Sequence, residues 1–290
     1  MLVSSDWLAS HLDDADLLVV DMRWREDGSA RSLYESGHIQ NAAYLDWSTD
    51  LVDADSPVSF SLAGPQQFAS AMEALGIGDD TRVVAYADRM GSGPYRLWWA
   101  CRRYGHDTVQ VLDGGLDKWL FENRLLSADP VTPRRASWTP RPPIEPIATG
   151  QDVATTVESP EVRVLDSRPP EQFRGEFVWF ETGPVAAGPD GIARTPRGEI
   201  RAGHIPGARN IPYASLYRQD FTMKDPEELR ELLAAADVDR NARAITYCGC
   251  GISASALLFA LKQAGVEDAA LYDASWEEWG RDPQRPVARE

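Results

Sequence analysis

Short runs of β-branched and aliphatic residues alternate along this chain with segments of helical spacing. "LLVVDMR" (Leu17–Arg23), "VRVLDSR" (Val162–Arg168) and "RAITYC" (Arg243–Cys248) read as buried strands. "SASALLFALKQAG" (Ser253–Gly265) reads as a helix, with Ser253 as its N-cap and Gly265 as its stop. In "LWWACRRYG" Cys101 falls on an apolar helix face and reads as core. Strands separated by helical crossovers predict parallel pairing with right-handed connections, hence an α/β sheet covered on both faces.

The pattern is written twice. "LLVVDMR" answers "VRVLDSR", and "SGHIQNAAYLDW" (Ser36–Trp47) answers "AGHIPGARNIPY" (Ala202–Tyr213). Val84–Trp119 lies over Ala244–Trp279 without a gap, which sets Asp88 opposite Cys248. Each copy then runs strand, Gly-His-Ile turn, helix, strand, loop, helix, strand, and an Asp-containing turn into a Trp-bearing helix. The fold class is therefore α/β, as two domains related by internal duplication, each a parallel sheet flanked by helices. The proline-rich stretch "DPVTPRRASWTPRPPIEPIATG" excludes a helix or central strand and predicts an extended connector. Domains are accordingly expected at 1–128 and 151–290, joined by a linker at 129–150. The second copy carries a Gly- and Pro-rich insertion, Gly175–His204, expected as a long irregular loop, functional or disordered, with function favoured because it joins the strand end bearing Asp166 and Arg168 to the Gly-His turn.

Composition narrows the partners. A net charge of −16 argues against nucleic acid or a membrane surface. The lysines are few (Lys118, Lys224, Lys262), so anion recognition falls to arginines or main-chain N–H groups. No apolar run approaches the roughly 20 residues of a membrane span. The acidic, non-basic start does not read as a signal peptide, so a cytoplasmic, reducing setting is expected.

There, two of only three cysteines flank one glycine in "CGCGIS". Cys248 ends a strand, and Gly249, Cys250, Gly251, Ile252 and Ser253 form a tight loop leading into a helix. Glycines at 249 and 251 tolerate positive φ, so successive N–H groups can turn inward at the positive end of the helix dipole. A thiol in that cradle should have its pKa lowered from about 8.5 towards roughly 3.5–7.5. A metal site would need more ligands than C-x-C and four scattered histidines provide. A cysteine phosphatase would need Arg six positions after the nucleophile, and position 254 is Ala.

"GHIPGARNIP", "CGCGISA", "LDGGLDKW" and "LYDASWEEW" resemble the tandem rhodanese family, the thiosulfate and 3-mercaptopyruvate sulfurtransferases, over nearly the whole chain. The resemblance implies two rhodanese-like domains, the first an inactive copy and the second catalytic. It implies that Cys248 takes sulfur from a small donor as a persulfide and passes it to a thiophilic acceptor: cyanide, a thiol, or a thiol carrier protein. No metal or organic cofactor is implied. A different class remains open, a non-catalytic module that carries or senses persulfide.

The neutral loop "CGCGIS" resembles the "CGSGVT" of mercaptopyruvate enzymes more than the cationic loops of thiosulfate-preferring relatives. Mercaptopyruvate's carboxylate lies farther from its sulfur, so arginines from other loops are the candidates: Arg168, Arg174, Arg194 and Arg197. Relatives usually carry Arg four residues after the Arg of "DSR"; here that position is Gln172. Cys250 stands where relatives have Ser, which leaves two readings: a thiol that resolves the Cys248 persulfide, or a tolerated exchange. His38 and His204 sit in repeated Gly-His-Ile turns and read as structural, while the resemblance also puts His38 forward as a proton relay. His11 and His106 read as surface, Asp166 and Asp273 as structural, and Trp119, Trp276 and Trp279 as core.

Overall fold

The structure is a computed structural model that describes residues 1–157, 161–180 and 183–289. The chain resolves into two units. One comprises Met1–Ala54, Leu62–Glu145 and Tyr217–Met223; the other comprises Asp55–Ser61, Pro146–Leu216 and Lys224–Glu290.

In the first unit, strands β1 (Leu2–Val3), β2 (Leu17–Asp21), β3 (Ala42–Tyr44), β4 (Arg82–Tyr86) and β5 (Val109–Leu112) form one parallel sheet in the order β1-β5-β4-β2-β3. The second begins with β6 (Ile147–Ala148) and β7 (Val162–Asp166). Two antiparallel hairpins follow, β8 (Phe177–Phe180) with β9 (Gly183–Ala186) and β10 (Ile192–Thr195) with β11 (Gly198–Arg201). After β12 (Arg209–Asn210), β13 (Arg243–Tyr247) and β14 (Ala269–Tyr272), the second sheet is also parallel, in the order β12-β7-β13-β14-β6. Strand for strand the two orders are the same, so the repeat in the sequence is a repeat of topology.

Helices cover both sheets because apolar runs such as "VRVLD" and "RAITY" have two faces to bury. Helix Gly93–Arg103 carries Trp98, Trp99 and Cys101 into the first core, and helix Ile252–Ala264 is buried along most of its length. The latter stops at Gly265, whose φ of 89° suits the left-handed cap. Its N-cap is Gly251, at φ 82°, not Ser253: the serine lies inside the first turn and its hydroxyl is used elsewhere.

Four expectations need adjusting. The Gly-His-Ile turn follows a short helix in each copy, Ala30–Ser36 and Pro170–Arg174, rather than following the strand directly. The insertion after Gly175 is built of two hairpins, with residues 181 and 182 outside the described part. The stretch 129–150 is extended but is no free tether. Trp138 is buried against Phe68 and stacks on His106, and the Trp138 and Thr139 N–H groups donate to Glu73 and Asp79. Its last residues already belong to the second unit, as β6 and as Thr149, which caps helix Gly150–Thr156 in a reciprocal box with Asp152. His106, expected at the surface, is thereby buried, its Nε2 2.8 Å from the Thr139 carbonyl. No described helix is long and apolar enough to cross a membrane.

Candidate active site

The site begins with a buried network present in both copies. In the second, Asp166 at the end of β7 receives Arg168 Nε on both oxygens at 3.0 Å and Arg168 Nη2 at 2.6 Å. Arg168 Nη2 also donates to the Gly203 carbonyl at 2.7 Å. The Tyr247 hydroxyl bonds Asp166 and accepts from Ile205 N–H at 3.2 Å, and burial pushes its pKa well up. His204 stacks on Phe173 and bonds the Phe173 carbonyl through Nδ1. Every part has its counterpart in the first copy: Asp21 with Arg23, Arg23 with the Gly37 carbonyl, Tyr86 with Asp21 and Ile39, and His38 with Tyr34. This network explains the repeated D-x-R and Gly-His-Ile motifs. The Arg168 guanidinium is buried and bonded through Nε and Nη2 to Asp166 and Gly203, as Arg23 is bonded to Asp21 and Gly37 in the other copy, and its Nη1 is buried without a hydrogen-bond partner among the described residues. His38 likewise sits in the buried network of its own unit, with its backbone bridged to Ser127.

One residue past Tyr247 lies Cys248, 3% exposed. The loop beyond it turns inward onto the sulfur. Gly251 N–H donates to Sγ at 3.1 Å, and the Cys250 and Ala254 N–H groups, the Cys250 thiol and the Ser253 hydroxyl bond it as well. Burial alone would raise the pKa of this thiol; those donors outweigh it and bring it down to about 5. Cys101 shows the other case: it is equally buried, has no such donors, and its pKa is pushed up. At neutral pH Cys248 is therefore a thiolate. Ser253 Oγ is also 3.0 Å from Ser167 Oγ, which links the cradle to the "DSR" turn.

A second clamp holds the loop from outside. Cys248 N–H donates to Ser275 Oγ at 3.1 Å, and the N–H groups of Trp276 and Glu277 hold the Cys248 and Gly249 carbonyls at 3.0 and 2.9 Å. Ser275 adopts a left-handed φ of 53° to do so, a strained conformation of the kind that clusters at functional loops. Of the two loop glycines only Gly251 uses positive φ; Gly249 faces open space, where an added Cβ would meet nothing within 4 Å. Beside Gly249 opens a small cleft lined by Gln172, Trp179, Ile200, Trp276 and Glu277. The hairpin insertion thus contributes Val178, Trp179 and Ile200 to the walls, and Gln172 and Glu277 were not recognised as wall residues from sequence.

The remaining candidate arginines are not gathered there. Arg174 pairs with Glu176 at 2.8 Å, Arg194 pairs with Asp190 at 2.7 Å and is largely exposed, and Arg197 is exposed at the β10–β11 turn. Ile252 starts the helix with its side chain buried, and Cys250 is half-buried.

In the first copy the register differs from the gapless alignment. Tyr86 pairs with Asp21 as Tyr247 pairs with Asp166, and Leu116 N–H holds the Ala87 carbonyl as Trp276 N–H holds that of Cys248. Ala87, not Asp88, therefore stands in the place of Cys248. The first loop has one residue more, absorbed by left-handed Arg89 and Met90, at φ 51° and 56°. Asp88 is bound by Arg25, whose Nη1 reaches Oδ1 at 3.0 Å.

A strand-end thiol of lowered pKa, cradled by amides at the start of a helix in one of two duplicated parallel sheets, is the candidate active site of an α/β protein. A rhodanese-like domain model matches residues 4–122 and again 149–282. The 3-mercaptopyruvate sulfurtransferase of Escherichia coli K12 is 31% identical over 98% of this chain and 96% of its own. A putative thiosulfate sulfurtransferase of Mycobacterium bovis is 34% identical over 99% and 97%. The crystal structure of SseA from Escherichia coli superposes with a TM-score of 0.80 at 30% identity, covering 95% of this chain and 98% of that one. The chain belongs to the rhodanese family and is a sulfurtransferase.

Proposed function

We propose that this sulfurtransferase works through a persulfide on Cys248 and that its preferred donor is 3-mercaptopyruvate. The observation that carries the reading is a fully buried thiol whose pKa is nonetheless drawn down to about 5 by five converging donors. The thiolate attacks the donor's sulfur, an S–S bond forms and the C–S bond breaks. The electron pair leaves on carbon as the pyruvate enolate, which takes up the proton released from the donor thiol. The Ser253–Ser167 hydroxyl pair is placed to pass that proton. The outer sulfur stays as an anion facing the same N–H groups. An acceptor thiolate or cyanide then attacks it, and Cys248 leaves as a thiolate.

Donor preference is supported by charge. Among the described residues, neither the loop nor the cleft wall carries Arg or Lys, whereas thiosulfate brings its charge close to the sulfur that moves. Gln172, at the cleft, offers a neutral amide to the carboxylate or ketone of mercaptopyruvate. The first unit, with Ala87 in the thiol's place, is read as inactive. Steady-state release of pyruvate from mercaptopyruvate, compared with thiocyanate from thiosulfate and cyanide, tests the reading. The expected result is a higher kcat/KM for mercaptopyruvate. Faster thiosulfate turnover overturns the preference, and no turnover with either donor, while a partner still persulfidates Cys248, makes the chain a carrier module.

A further inference from the structure

The second unit holds a buried carboxylate that the sulfur chemistry above does not use. Glu277 is 6% exposed and, among the described residues, is the only charged one lining the cleft beside Gly249. Its Oε2 accepts from Ser59 N–H at 3.2 Å, and its Oε1 accepts from the Ser59 hydroxyl at 3.1 Å and from Arg281 Nη2 at 3.4 Å. Both carboxylate oxygens therefore act as acceptors. Because Glu277 N–H also holds the Gly249 carbonyl, this carboxylate is fixed against the catalytic loop.

Its neutralisation is weak by the standard of its neighbours. Asp166 has a guanidinium on both oxygens at 2.6 to 3.0 Å. Glu277 has one long contact from Arg281, whose Nη1 goes to the Arg197 carbonyl. The first copy sharpens the contrast. Asp117 precedes Trp119 as Glu277 precedes Trp279, but its carboxylate accepts Arg89 N–H at 2.6 Å and serves as a loop cap.

We infer that Glu277 selects donors by charge, admitting monoanions to Cys248 and penalising dianions. A fixed negative charge opposes a dianion about twice as strongly as a monoanion at the same distance, and its burial keeps salt from screening the difference. Mercaptopyruvate presents one negative charge and thiosulfate two. The inference rests on the reading of Cys248 as the sulfur acceptor and adds the residue that sets donor class.

The test is Glu277→Gln, isosteric and uncharged, beside Ser59→Ala, which keeps the charge and removes one of its hydrogen bonds. For each, kcat/KM is measured with both donors, and the thermal midpoint is recorded. Glu277→Gln should raise the thiosulfate-to-mercaptopyruvate ratio about tenfold, the equivalent of about 1.4 kcal/mol, while Ser59→Ala leaves the ratio at the wild-type value. Should the glutamine variant not fold, Glu277→Ser reads the same ratio. An unchanged ratio in a folded, persulfide-forming variant makes Glu277 a latch for Ser59 and overturns the inference alone. A shift of equal size in Ser59→Ala overturns it in favour of geometry. A wild-type protein in which Cys248 never gains sulfur removes the underlying reading and the inference with it.

Discussion

The two strand-end loops share a scaffold and differ in what they hold. Each follows a tyrosine bound to the aspartate of a buried Asp–Arg pair, and each has its carbonyls pinned by a Trp-bearing helix. In the first copy, Ala87 occupies the reactive position, one extra residue forces Arg89 and Met90 into left-handed φ, and the neighbouring Asp88 is tied to Arg25. In the second, the shorter loop closes its amides on the Cys248 sulfur. The lesson is that the duplicated network builds the platform, while loop length and one side chain decide whether chemistry sits on it. Burial alone raises a thiol's pKa, as it does for Cys101, and only the donors around the equally buried Cys248 turn the shift the other way.

The largest expected effect comes from removing the sulfur. Cys248→Ala should lower turnover of either donor by about a thousandfold or more, as measured by pyruvate or thiocyanate release; activity within tenfold of wild type would end the comparison. Next in size is the shared platform. Asp166→Asn leaves the Arg168 guanidinium buried without its counter-charge and should cost about 3–5 kcal/mol of stability, and Asp21→Asn should cost a similar amount in the first copy. Thermal or urea unfolding checks both, and a loss of activity from Asp166→Asn without loss of stability would make Arg168 a substrate contact after all. Smaller still is the cradle hydroxyl. Ser253→Ala removes a hydrogen bond to an anion worth about 1.5–3 kcal/mol, so the midpoint of the pH-dependent alkylation rate of Cys248 should rise from about 5 to between about 6 and 7. In the wild type this depressed pKa also makes the unfolded chain the better proton binder between about pH 5 and 8.5. Stability should therefore rise with pH across that window and level off above it.

Much of this was legible in the residues. The duplication shows in paired motifs, and the Cys-Gly-Cys-Gly-Ile-Ser loop between a β-branched run and a helix predicts a lowered thiol pKa from the residues alone. Other features were hidden for definite reasons. The gapless alignment put Asp88 opposite Cys248 because an added loop residue costs nothing in sequence; only strand register and the Tyr86–Asp21 bond show that Ala87 is the match. The Arg168–Asp166 pair was hidden because the partners lie two residues apart, a local ion pair that motif spacing does not distinguish from an open arginine. The exchange of Asp55–Ser61 and Tyr217–Met223 between the units is a tertiary event with no local signal. Glu277 had one available clue, its shared offset with Asp117 ahead of a repeated tryptophan.

The central claim is that the second loop alone carries sulfur, as an anion on Cys248. The direct measurement is peptide mass spectrometry on the Ala87→Cys variant after treatment with mercaptopyruvate and rapid alkylation. The account predicts one added sulfur on Cys248 and none at position 87, in the longer loop with left-handed Arg89 and Met90. Sulfur at position 87 in comparable amount, or none on Cys248, would contradict it.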